Sequence, residues 1–391
     1  MGNNMKEIDP LGNPIIKIPF FIPDIKNIEK NSVLKTLNSK LLTNGPNLVR
    51  FENEFKKFTN SKFSSGVSNA TSALHIALIA NGIGKNDEVI IPDITFIATA
   101  NTVIMSGATP VLADVNINDF NIDVESIKKN ITKKTKAIIP VHFAGNPCNM
   151  KNIVQISKKY NLKIIEDCAH AIGTFYNGKH VGNFGNSGCF SFYPTKNITT
   201  LEGGMIITNE KKISDKIRVL RNHGITKTLR ERYHSEFPWE YDVKIPGYNY
   251  RIDEARAILG FKQIKRINKI NYKRKKIVEN YLKRLKNIDG IEFQEIDNKN
   301  ISSNHLFVIR IVEKRFGMNR NTVYKKLQKM GIQTSVHYKP LHMFSIFKKF
   351  KNRNLKNSKI LFNEILSLPI YNNMSSKHQE IVISSLKSLK Q

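Results

Sequence analysis

The chain is short of cysteine, tryptophan and acidic residues, and it has no long apolar run; each shortage closes off a class of function. Its three cysteines, Cys148, Cys168 and Cys189, are too few and too irregularly spaced for a disulfide scaffold or a zinc site. They are expected as reduced, small buried residues, and no metal is expected. No apolar stretch approaches the ~20 residues that a membrane-spanning helix needs. The opening MGNNMKEIDPLGNPIIKIPFF lacks an apolar signal core, and Lys6 stands where a myristoylation pattern wants Ser or Thr. A cytoplasmic protein without a membrane partner is the expectation. Asp and Glu number 32 against 62 Lys and Arg, a formal net charge of +30. Such a charge attracts polyanions. The bases, however, are spread along the chain, and no zinc-finger spacing or RNP-like aromatic motif accompanies them. A basic surface suited to phosphorylated substrates is expected, rather than a nucleic-acid partner.

What is present is a patterned chain of 391 residues, enough for a large core and two domains. Six apolar runs at 87–93, 108–115, 136–143, 162–169, 188–193 and 204–209 are bounded by turn residues. Nearly continuous Val, Ile, Leu and Phe of this kind marks parallel strands covered on both faces. Between them, TSALHIALIANG (71–82) is apolar almost all round, which predicts an internally packed helix. Alternation of strand and helix implies an α/β domain with a mainly parallel sheet. After residue 255 the pattern changes to one long amphipathic basic helix over 258–288. A strand (305–312), a helix (321–330) and a strand (332–338) follow, with an exposed Asn/Lys-rich loop near 349–358. These predict a smaller C-terminal α+β domain. The division expected is 1–262 for the large domain and 263–391 for the long helix and small domain.

Three features carry chemistry. In open α/β sheets, ligands sit beyond the carboxyl ends of the strands. Asp167 closes the strand LKIIED there, although an isolated Asp also serves as a helix cap. Ser68-Asn69-Ala70-Thr71-Ser72 precedes the buried helix, where hydroxyls and free N–H groups suit a phosphate, or simply cap the helix. Lys196, in SFYPTKNITTLEGG, lies between an aromatic strand and a glycine pair, so its amine should be partly desolvated and nucleophilic. A nucleophilic lysine, an acceptor carboxylate and a phosphate-binding helix start share one explanation: pyridoxal 5′-phosphate.

At this point the sequence resembles a known family. The stretches GPNLVRFE (45–52), NDEVIIPDITFIATAN (86–101), KAIIPVHFAG (136–145), IIEDCAHAIG (164–173), GCFSFYPTKN (188–197), EGGMIIT (202–208), LRNHG (220–224), GYNYR (247–251) and TSVHYKPLH (334–342) resemble those of the DegT/DnrJ/EryC1/StrS sugar aminotransferases. The resemblance implies a fold-type I pyridoxal-phosphate transferase. It makes Lys196 the Schiff-base lysine and proton carrier, and pairs Asp167 with the pyridinium nitrogen. It puts His170 near the cofactor's phenolic oxygen and stacks Phe96 on the ring. Thr71, Ser72 and Ser191 would hold the phosphate, with Asn249 reaching it from a neighbouring subunit. Arg251, His337 and Tyr338 are expected near substrate, while His142 and His223 read equally well as core histidines. Ala70 is a departure, since many members have glycine there.

The function implied is transfer of an amino group, from L-glutamate, to a nucleotide-linked 4-keto-6-deoxy hexose in amino-sugar synthesis, by a homodimer with shared sites. Two alternatives compete. A dehydratase of the same fold would carry His in place of Lys196, and a non-catalytic nucleic-acid-binding relative would lose Lys196, Asp167 or Thr71.

Overall fold

The structure is a computed structural model that describes residues 17–227, 231–232, 234–350 and 354–390. Its main sheet holds β1 (Phe63–Val67), β2 (Glu88–Pro92), β3 (Thr109–Ala113), β4 (Thr135–Ile138), β5 (Lys163–Asp167), β8 (Ser187–Ser191) and β9 (Gly204–Thr208). A short hairpin, β6 (Phe175–Tyr176) and β7 (Lys179–His180), sits apart. The order across the sheet is β1-β9-β8-β5-β4-β2-β3. Pairing is parallel from β8 to β3, and β9 alone runs antiparallel to both its neighbours. All six expected strands are present. β1 adds a seventh; its Ser-Ser-Gly core lacks the apolar signal used to find the others.

Side-chain alternation splits the sheet between two cores, as a period of two dictates. Cys189 and Ile206 face one side with the helix Ala70–Ala80, whose Leu74, Ile76, Ala77 and Leu78 are fully buried. Phe190, Met205 and Ile207 face the other side, against Phe51 and Phe55 of the helix Pro46–Thr59. There Phe55 meets Phe190 edge-on with ring centroids 5.0 Å apart, and Phe51 lies 5.1 Å from Phe192. The start of the Pro46–Thr59 helix is held by one buried carboxylate: Glu254 accepts from the N–H groups of Gly45 (2.9 Å), Asn47 (2.7 Å) and Leu48 (3.1 Å). Three orphan donors of a helix start are satisfied by one acid, which explains the GPN motif.

The small domain is built on β10 (Ile291–Phe293), β11 (Phe307–Ile311) and β12 (Ile365–Leu368), an antiparallel sheet in that order. The expected long helix is two helices, Glu254–Ile264 and Ile267–Leu285, broken at Lys265-Arg266. Arg266 sits at the break with a non-helical φ of −113°, and its side chain bonds Asp24 (2.7 Å) and Glu29 (2.7 Å). Residue 263 therefore falls within the first of these helices. The second helix serves both cores, giving Ile267 and Ile270 to the large domain and Ile277, Val278, Tyr281 and Leu285 to the small one.

Residues 332–338 do not form the expected strand; they make only single bridges, Ile18–Ile332 and Ser335–Ser367. The edge position is taken by β12 instead. Of the expected loop at 349–358, residues 351–353 lie outside the described residues, and a helix starts at Lys356. No helix is long and apolar enough to cross a membrane among the described residues.

Candidate active site

Strand register brings the chemistry to one sheet edge. Asp167 ends β5 beside Cys189 of β8; Ser191 ends β8 opposite Gly204, and Gly204 also faces Val67, which ends β1. The segment Ser68–Ser72 leaves that same edge into the helix Ala70–Ala80. Asn69 caps this helix, its Oδ1 accepting from Ser72 N–H at 2.8 Å, and Ser72 Oγ lies 2.9 Å from Ser68 Oγ. The N–H groups of Ala70 and Thr71 donate to no acceptor among the described residues. A helix N-terminus with free N–H groups and hydroxyls is suited to an anion. Gly204 is required here, because a Cβ on it would stand 2.5 Å from Asn69 O.

Lys196 stands in the loop between β8 and β9, its N–H bonded to Tyr193 O at 2.9 Å. The residue keeps some accessible surface, yet its amine is enclosed. Desolvation draws its pKa down to about 8, against the opposing pull of the Asp167 charge. Asp167 is buried; its Oδ2 accepts from Thr99 Oγ1 at 2.9 Å and its Oδ1 from Ala169 N–H at 3.1 Å. Burial pushes this carboxyl upward, and the two hydrogen bonds and Lys196 oppose that shift. It forms no ion pair within 4 Å among the described residues.

His170 is held in one tautomer. Its Nδ1 accepts from Ala144 N–H at 3.2 Å, so in the neutral ring Nε2 carries the hydrogen and donates to Tyr338 Oη at 3.0 Å. Burial holds this imidazole neutral, well below the usual histidine range, and pushes the Tyr338 hydroxyl well up. Tyr338 therefore keeps its proton and is free to donate it. His337 bonds Ser367 Oγ at 2.9 Å through Nδ1 and is drawn down to about 4 by burial, then by the Lys196 charge. Phe96 is exposed, 5.8 Å from the Tyr338 ring.

The structure brings Lys196, Asp167, His170, Ser191, Phe96, His337 and Tyr338 to one region, with Thr71 and Ser72 on the same edge. Asn249 and Arg251 sit differently. Asn249 is exposed and bridges Asn222, and Arg251 Nη1 donates to Asn222 Oδ1 at 2.8 Å. Of the two ambiguous histidines, His142 is a satisfied core residue, bonded to Glu166 at 3.2 Å and to Cys148 N–H at 3.1 Å. His223 is instead exposed, with a φ of 58°.

Three residues escaped the sequence reading: Thr99, His305 and Asn197. Asn197 Nδ2 donates to Asn271 Oδ1 (2.8 Å) and Ser303 O (2.8 Å), and its Oδ1 lies 3.1 Å from His305 Nδ1, which anchors the residue after Lys196. Only Thr99 left a signal, lying one helical turn after Phe96 in TFIATAN.

Residues 23–387 match the model of the DegT/DnrJ/EryC1/StrS aminotransferase family. The chain belongs to that family. It is 37% identical to the spore coat polysaccharide biosynthesis protein SpsC of Bacillus subtilis over 376 residues, covering 95% of this chain and 97% of SpsC. Its fold matches that of Helicobacter pylori PseC, an aminotransferase of pseudoaminic acid biosynthesis, with a TM-score of 0.89 at 32% identity over 95% and 99% of the two chains. The PLP-form of Spr1654 from Streptococcus pneumoniae matches with a TM-score of 0.87 at 29% identity, covering 95% of this chain and 98% of that one. The protein is accordingly a pyridoxal-phosphate-dependent aminotransferase of fold type I. Its residues fit the cofactor: the free N–H groups at Ala70 and Thr71 suit its phosphate, and the unpaired, buried Asp167 suits its protonated ring nitrogen.

Proposed function

We propose that the protein moves an amino group from L-glutamate to the ketone of a nucleotide-linked 4-keto-6-deoxy hexose, supplying an amino sugar for glycan synthesis. The observation that carries this reading is the desolvated Lys196 amine facing the buried Asp167 carboxylate at a sheet edge that also offers a phosphate site. The named relatives SpsC and PseC, which serve polysaccharide and pseudoaminic acid synthesis, support the sugar as acceptor.

In this reading the phosphate rests on Thr71, Ser72, Ser191 and the N–H groups of the helix start. Asp167 would keep the ring nitrogen protonated, Phe96 would offer its face to the ring, and the Tyr338–His170 pair would offer a fixed donor to the phenolic oxygen. When bound, pyridoxal phosphate supplies an electron sink for negative charge developing at the amino-acid α-carbon. Lys196, as a neutral amine, would take the α-proton of the donor and hold it for return; with the sugar it would carry a proton the opposite way. One base serves both halves because they are the same reaction run in opposite directions. His337 contacts substrate from this chain, and Arg251, which lies beside Asn249, would do so from the second copy. The protein works as a cytoplasmic homodimer in which Asn249 of a second copy completes the phosphate site.

The test is direct. Enzyme, pyridoxal phosphate and L-glutamate are incubated with a panel of nucleotide-linked keto sugars, and the products are read by mass spectrometry. Amination of a 4-keto-6-deoxy sugar is expected. Conversion of the cofactor by glutamate without amination of any sugar would overturn the acceptor assignment.

A further inference from the structure

Lys196 has a second cationic neighbour. Two small cavities are each lined by Lys196 and Arg274. One of them also has walls from Phe20, His305, His337 and Tyr338, and among the described residues no carboxylate lines it. Both histidines are neutral, drawn down by burial. The Arg274 charge therefore has no carboxylate opposite it in this cavity; Asp24 lines only the other cavity, and it is already paired with Lys26 and Arg266.

Arg274 is itself unusual. It is 4% exposed and occupies the apolar stripe of its helix, one turn from Ile270 and Ile277. Its Nε donates to Asn304 O at 2.9 Å, and its Nη2 to His305 O at 2.6 Å and Ile370 O at 3.4 Å. Nη1 donates to no acceptor among the described residues, and no carboxylate pairs with the guanidinium. The part-buried Arg266 and Arg310, by contrast, are each matched to two acids. Arg320 is also held by carbonyls, but lines neither cavity. A buried guanidinium without a counterion is costly unless a ligand supplies one. Burial draws its pKa down to about 9, which still leaves it charged at neutral pH.

We propose that Arg274 is the carboxylate subsite of the amino-acid donor, its Nη1 and charge receiving one carboxylate while the donor's amine is delivered at Lys196. This rests on the amino-acid-donor reading above and adds the group that recognises the donor. Three backbone carbonyls orient the guanidinium, so it meets the anion without reorganising. Either the α- or the side-chain carboxylate offers the same chemistry, and the choice of donor separates them.

The experiment uses cofactor-loaded wild type, Arg274→Gln and Arg274→Lys. It measures the half-saturation for L-glutamate and L-alanine in the cofactor's spectral change, and the calorimetric affinity for maleate, an unreactive dicarboxylate. Arg274→Gln should weaken glutamate and maleate by about 10- to 100-fold, the range of a lost charged hydrogen bond, with the cofactor band retained. An equal loss for alanine assigns the α-carboxylate; a loss confined to glutamate assigns the side chain. Arg274→Lys, which keeps the charge, should lie between. If Arg274→Gln does not fold, a crystal structure of the wild type with maleate decides: a carboxylate against Nη1 supports the subsite, and maleate elsewhere overturns it. Unchanged glutamate and maleate affinities in a folded variant also overturn it. A wild type that shows no spectral change with any amino acid would instead refute the donor reading itself.

Discussion

At the scale of single residues, the site is a set of opposed pKa shifts. Burial lowers Lys196 to about 8 and raises Asp167, so each limits the other's shift. Only the neutral amine attacks the cofactor's aldehyde, and its folded pKa lies below the ordinary lysine value of 10.5. The rate of cofactor capture by the apo-protein should therefore rise with pH through a midpoint near 8, followed by stopped-flow absorbance. A midpoint near 10.5 would show an unperturbed amine. Removing the Thr99 donor from Asp167 should raise that carboxyl further and weaken its hold on a protonated ring nitrogen. Thr99→Val should thus cost about tenfold in cofactor affinity, the size of one hydrogen bond to a charged group, measured by fluorescence titration. Lys196 and Asp167 were legible because each sits at a break in a local pattern. His305 and Asn197 matter through contacts with residues far along the chain, and no local pattern carries those. Arg274 did leave a trace, a charge within the apolar stripe of its helix.

Among elements, the helix Ala70–Ala80 does two jobs, packing under the sheet and presenting its N-terminus at the site. Replacing its cap, Asn69→Ala, should lower stability by about 1 kcal/mol in urea titration and loosen the phosphate end of the site. A stability loss without any change in cofactor affinity would separate the two roles. Gly204→Ala should do more damage to both, since its Cβ would press on the Asn69 carbonyl at 2.5 Å. The parallel strands were readable because strands buried on both faces are nearly continuous in apolar residues. The edge elements were not. β1 is rich in Ser and Gly, and β12 was passed over for 332–338, whose residues make isolated bridges rather than a ladder. The break at Arg266 was hidden because apolar spacing continues across it, and the partners of Arg266 there, Asp24 and Glu29, lie far along the chain.

For the whole molecule, the proposed dimer gives a test that no single chain can pass. Lys196→Ala and Asn249→Ala, each inactive or weak alone, should recover part of the activity when unfolded and refolded together, because a mixed dimer holds one intact site. No recovery, with mixed dimers present by mass spectrometry, would put Asn249 to work in its own chain's site. The net charge of +30 is carried mostly by lysines at the exposed or half-buried surface. The most direct measurement is the visible spectrum of the purified protein, loaded with pyridoxal phosphate and freed of excess, before and after L-glutamate, beside Lys196→Ala. A visible band in the wild type that glutamate bleaches to the amine form, absent from the variant, is the expected result. A wild type that retains no band, or a variant that keeps it and still responds to glutamate, would contradict the role given to Lys196.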